Sequence, residues 1–125
     1  MSSLKSFEDL ECWKASRSLR IFVSKEILSK FPSDEKFALT SQLKRSSRSV
    51  GDNIAEGYGR FHHQENIQFC RIGRGSLFES LNQVITALDE NYIDEVTVIK
   101  FREMFERTNA LLNGYINYLI KAKNE

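Results

Sequence analysis

A single proline and six glycines in 125 residues are too few turn-formers for a β-sandwich or barrel, which would need turn signals roughly every 8–12 residues. Nowhere do eighteen apolar residues run together, so no membrane-spanning segment is expected. Residues 1–7 carry one lysine and no apolar run; they do not read as a secretory leader, and the expected location is cytoplasmic. Only Cys12 and Cys70 supply thiols, far apart and without a C-x-x-C or Cys/His array. In a reducing compartment they read as two partly buried thiols rather than a disulfide. Strong charge of one sign is also missing, since 18 Lys+Arg stand against 17 Asp+Glu, and the chain as a whole has no strong pull on phosphate.

Histidine is scarce too. His62 and His63 are the only two, so a Ser-His-Asp or Cys-His site could draw on one spot alone. The Glu-x-x-His pairs of a di-metal helical bundle are absent. His62-x-x-Glu65 is a reversed, isolated version whose residues also suit a polar helix start. No catalytic residue, metal or cofactor is expected, and the chain reads as non-enzymatic. Gly57-Tyr58-Gly59-Arg60 lacks the spacing and lysine of a phosphate loop and reads as a helix C-cap, with a left-handed glycine past the last turn.

What the sequence does hold is helical patterning. Ser6 stands as an N-cap before Leu10, Trp13, Leu19, Phe22, Val23, Ile27 and Phe31, which return to one face. Pro32 ends that helix, and Ser33 with Asp34 and Glu35 is expected to open a second, carrying Leu39, Leu43, Val50 and Ile54. Ser46 and Ser47 are small enough there to let a neighbour approach. The third presents Ile67, Cys70, Leu77, Leu81, Val84 and Leu88, widened by Phe69, Ile72, Phe78 and Ile85. The fourth carries a seam at Val98, Phe101, Phe105, Thr108, Leu112, Tyr115 and Leu119, alternately three and four residues apart. Helices over about 7–30, 34–56, 62–89 and 94–121, joined by short connections, predict one all-α domain over 1–125: an antiparallel up-down-up-down four-helix bundle.

Two features inside that pattern bear on function. Gly73 and Gly75 each cost about 1 kcal/mol within a helix, so with Ser76 and Ser80 they are expected to clear a groove for another helix, from the bundle itself or from a second subunit. Residues 40–75 hold Lys44, Arg45, Arg48, Arg60, Arg71 and Arg74 against Asp52, Glu56 and Glu65, a net of +3. These six cations are the candidate nucleic-acid-binding residues, open to the alternative of a solvated face in which Arg48 pairs with Asp52. Asn53, Glu56 and Gly57 are expected to fix the turn between the second and third helices, open to the alternative of an exposed polar helix end.

The runs Phe7-x-x-Leu10-x-x-Trp13-x-x-Ser16, Phe31-Pro32-x-x-Glu35-x-Phe37-x-Leu39-x-x-Gln42-Leu43-x-Arg45, Asn53-Ile54-Ala55-Glu56-Gly57 and Gly75-Ser76-x-x-Glu79 resemble the four-helix-bundle proteins encoded in 23S ribosomal RNA intervening sequences. The accessory variability determinant of diversity-generating retroelements is similar to the same group. The resemblance implies a ring-like homopentamer without catalytic residues. Its retroelement branch implies binding to nucleic acid and to a reverse transcriptase. Two departures stand out: Ser16 where alanine is usual, and near-neutral charge where the retroelement branch is strongly basic. The expected function is an RNA-associated, non-enzymatic oligomer, the alternative being a protein-binding scaffold or accessory subunit with no nucleic-acid contact.

Overall fold

Apolar positions recurring every three to four residues produce four helices: α1 Glu11–Phe22, α2 Leu39–Tyr58, α3 His63–Asp89 and α4 Glu95–Asn124. The computed structural model describes residues 6–125; Met1 to Lys5, at the start of the expected domain, lie outside the described residues. No strand occurs among the described residues. The bundle closes four-sided, α1 packing on α2 and α4, and α3 on the same two. Its centre is lined by Leu19, Val23, Ile27, Leu43, Ile54 and Leu77, with Val84, Phe101 and Leu112, all fully buried. Burial of each such side chain contributes about 1.5–3 kcal/mol. Among the described residues no helix is long and apolar enough to cross a membrane.

α1 starts later than Ser6 suggests. The Ser6 hydroxyl accepts from the Glu8 N–H at 3.1 Å, but it caps a short 3₁₀ turn, Phe7–Asp9, and the helix proper begins at Glu11. Beyond Phe22 the chain makes a π-type wide turn, Val23–Ile27, in which the Leu28 N–H reaches back to the Val23 carbonyl. The wide turn has a packing reason. Leu19, Val23 and Ile27 are all fully buried, yet two successive steps of four would carry a regular helix face round by roughly 80°; one turn with an extra residue takes that rotation back.

The second helix is the main correction to the expected boundaries. Ser33 does not cap it: Ser33–Glu35 forms a separate 3₁₀ turn, and α2 begins at Leu39 behind Ala38, which offers no side-chain cap. Glu35 does that work instead. Its carboxylate accepts from the Leu39 N–H at 3.1 Å and from the Tyr92 hydroxyl at 2.7 Å, so the connection into α2 is fastened to the α3–α4 turn. The tyrosine bond, with the amide second, holds the Glu35 carboxyl below the usual carboxylate range.

The turns also use different residues from those the glycines suggest. Gly59 at the end of α2 has φ −74, and the left-handed residues are Phe61 and Asn91, both at φ 63. Asn91 sits where a Schellman motif places its left-handed residue: the Tyr92 N–H bonds to the Ala87 carbonyl and the Asn91 N–H to the Leu88 carbonyl. Asp94 then caps α4, accepting from the Thr97 N–H at 2.9 Å.

Two stripes are narrower or shifted. Ile72 and Phe78 on α3 point outward, 55% and 49% exposed. On α4 the buried seam passes through Ile116 rather than Tyr115, because a straight helix drifts about 20° per heptad away from a strict seven-residue repeat.

Candidate nucleic-acid interface

The α2–α3 contact is built from small and hydroxylated residues. Ser46, Ser47 and Ser80 are buried, and an added Cβ on Gly73 would sit 3.1 Å from the Val50 carbonyl oxygen, so the two backbones run close. Gly75, two residues on, would meet nothing within 4 Å; of the two glycines only Gly73 is accounted for by packing inside the chain. Hydrogen bonds fill the seam. Ser46 and Ser80 share one at 2.9 Å, Ser46 donates to Gln83 Oε1 at 2.7 Å, and Gln83 Nε2 donates to Glu79 at 3.3 Å. Ser76 donates to Ser49 Oγ at 2.9 Å, which also accepts from Asn53 Nδ2 at 2.9 Å. Among the described residues no buried side-chain nitrogen or oxygen is left without a partner, as a polar seam in a low-dielectric interior requires.

Above this seam lies a groove of about 460 Å3 lined by Gln42, Arg45, Ser49, Ser76, Glu79 and Gln83. Two stretches distant in sequence, Gln42-Leu43-x-Arg45 and Gly75-Ser76-x-x-Glu79, thus meet in one place. Arg45 and Glu79 share the groove without forming a salt bridge.

The six expected cations do not form one strip. Arg60 is engaged within the chain: Nε lies 3.0 Å from Glu56, Nη1 3.9 Å from Glu65, and the guanidinium covers the Phe69 ring at 5.0 Å. Arg74 donates to Asn113 Oδ1 on α4 at 2.7 Å. Lys44, Arg45, Arg48 and Arg71 are exposed and carry no salt bridge among the described residues. The anticipated Arg48–Asp52 pair is not made; both residues line a second groove, between α1 and α2. There Arg48 is joined by Arg17 and Arg20 around Trp13. Sequence reading missed both arginines, although their offsets of four and seven from Trp13 place all three on one face of α1.

The residues assigned to the α2–α3 turn act in different ways. Asn53 Nδ2 donates back to the Ser49 carbonyl at 2.8 Å as well as to its hydroxyl. Glu56 is exposed and holds Arg60. Gly57 is buried, and a Cβ there would fall 2.6 Å from Asn66 Oδ1 and 3.0 Å from Phe69 Cβ. Asn66 itself donates to the Tyr115 hydroxyl at 3.0 Å and accepts from the Cys70 thiol at 3.5 Å. Cys12 and Cys70 are both free and buried. Among the described residues no group of three or more His, Cys, Asp or Glu is placed to hold a metal ion.

Compared with known families, residues 8–114 match the 23S rRNA-intervening sequence proteins. The chain belongs to that family. The match runs from the 3₁₀ turn before α1 to well inside α4, so both grooves of this 23S rRNA-intervening sequence protein fall within it. Comparison with curated proteins finds none that matches.

Proposed function

We propose that this 23S rRNA-intervening sequence protein is a non-enzymatic, RNA-associated homo-oligomer of the cytoplasm. The observation that carries the reading is the set of cations with no carboxylate partner, Lys44, Arg45, Arg48 and Arg71, in a chain whose family is named for ribosomal RNA. Unpaired surface cations are what phosphate contact uses, and repetition of the chain in an oligomer multiplies a modest charge. Self-association is supported by Ile72 and Phe78, which leave apolar surface on the outside of α3, and by Val96 and Ile99, 61% and 57% exposed on α4. Buried free thiols fit a reducing compartment.

Titration of a labelled RNA at two salt concentrations tests the proposal. Binding with a steep salt slope that weakens in Arg45→Gln and Arg48→Gln is the expected result. Absence of binding at low salt overturns it and leaves a protein-binding scaffold as the better reading. Solution mass of the native protein checks the assembly, and a monomer at working concentration refutes that part.

A further inference from the structure

The groove between α1 and α2 combines features that its two helices do not need for packing. It measures about 400 Å3 and is lined by Trp13, Arg17, Arg20, Arg48, Gly51 and Asp52. Three guanidinium groups face it against one carboxylate, and none of the three makes a salt bridge among the described residues. Like charges gathered at one place repel, an arrangement that gains only when an anion enters. Trp13 is held as part of the wall. Phe7 meets its ring edge-on, with centroids 5.2 Å apart at 72°, and the Arg17 guanidinium lies over the ring, 5.9 Å from its centroid.

The indole N–H has no hydrogen-bond partner among the described residues, and no side-chain nitrogen that lacks one is buried; the N–H is therefore open to solvent. Gly51 keeps that edge clear. A Cβ there would stand 3.5 Å from the indole nitrogen and 3.1 Å from the Ser16 hydroxyl, so the bare backbone of α2 leaves room beside the donor. Ser16 spends its own hydrogen on the Trp13 carbonyl at 2.7 Å, leaving the donors that face the groove to the arginines and the indole. Planar guanidinium forks match the oxygens of a phosphate group in pairs, as lysine ammonium groups do not.

We infer that this groove is a phosphate-binding site, in which Arg17, Arg20 and Arg48 grip the oxygens beside the Trp13 indole. The phosphate can belong to an RNA backbone or to a free phosphate ligand. As an RNA contact the site rests on the function proposed above; as a site for a phosphate group it does not.

Trp13 is the chain's one tryptophan, so the emission of the intact protein reports on this groove alone. Tripolyphosphate and a single-stranded RNA oligonucleotide are each titrated at low and moderate salt. Both are expected to give a saturable change in emission, about tenfold weaker in affinity for Arg20→Gln and for Arg48→Gln, and stronger for Asp52→Asn. Arg71→Gln, outside the groove, is expected to leave the tripolyphosphate affinity unchanged. RNA binding that leaves Trp13 emission and the Arg20→Gln affinity untouched overturns the site while sparing the RNA reading. Tripolyphosphate binding without RNA binding supports the site and sinks the RNA reading. No response to either probe at low salt, or equal losses in Arg71→Gln and Arg20→Gln, overturns the site.

Discussion

Alanine at position 73 would drive a methyl group into the backbone of α2, and alanine at position 75 provides the control. Both glycines lie inside α3, so both substitutions gain about 1 kcal/mol of helix propensity, and in a direct comparison that gain cancels. What remains is the environment of the added Cβ. At Gly73 it lies 3.1 Å from the Val50 carbonyl oxygen and 3.4 Å from Asn53 Cβ, whereas at Gly75 nothing lies within 4 Å. The Val50 carbonyl is fixed in the α2 backbone and cannot swing aside as a side chain could. The helices must part by a few tenths of an ångström, which loosens the 2.9 Å bond from Ser76 to Ser49 nearby. Overpacking of this kind costs about 1–3 kcal/mol, and a chain of this size shifts its melting temperature by roughly 3–5 °C per kcal/mol. Gly73→Ala is therefore expected to melt several degrees below Gly75→Ala by circular dichroism at one protein concentration, because assembly shifts apparent stability. Equal melting temperatures, or a more stable Gly73→Ala, would refute the close approach of the two helices. A Gly75→Ala protein that melts low and also loses subunits would instead place a second copy against this face.

Glu35→Gln is expected to lower the melting temperature at neutral pH. Because the folded pKa lies below the unfolded one, the carboxylate's contribution is present above the unfolded value and lost as pH falls through the folded one. The gap between wild type and Glu35→Gln should thus shrink below about pH 4; a gap independent of pH contradicts the bond to Tyr92. Burial pushes the Cys12 thiol up to about 11 and the Cys70 thiol up to about 12, so native protein at mildly alkaline pH is expected to label with an aromatic disulfide only as fast as it opens. Rapid labelling of either thiol without denaturant would show that it is not enclosed. Phe61 is 90% exposed at φ 63, a conformation that costs a bulky residue roughly 1–2 kcal/mol. Phe61→Gly is accordingly expected to raise stability by about 1 kcal/mol in urea melts, and a loss would mean that the ring packs on something beyond this chain.

The bundle was legible because apolar spacing alone distinguishes helix from strand, and it located all four helices. Their starts were less legible. Ser33, Asp34 and Glu35 have the local chemistry of a helix start, but the α2 cap depends on Tyr92, which is 57 positions from Glu35 and invisible to local reading. The left-handed Phe61 is likewise set by the hairpin and not by its own preference, which is why neighbouring glycines drew the expectation away from it. Gly73 was recognisable as a helix-packing glycine, yet sequence could not separate it from Gly75, since only the rotation of α3 decides which one faces α2. Charge counting found the basic middle of the chain but treated six cations as one strip. Arg60 and Arg74 have side-chain partners that only folding brings near, while Arg17 and Arg20 lay in a segment whose overall charge hid them.

The wide turn at Val23–Ile27 bears on how the chain tolerates a change of length. Removing one residue there, Ser24 for instance, would restore ordinary helical geometry and cost nothing locally. Everything downstream would nevertheless swing by about 100° around the axis, carrying Phe31 away from Tyr92, whose ring centre it approaches to 5.6 Å. A one-residue edit in the first helix would then be felt at the opposite hairpin, so the spare residue acts as a spacer whose count, more than its identity, drift in sequence must preserve.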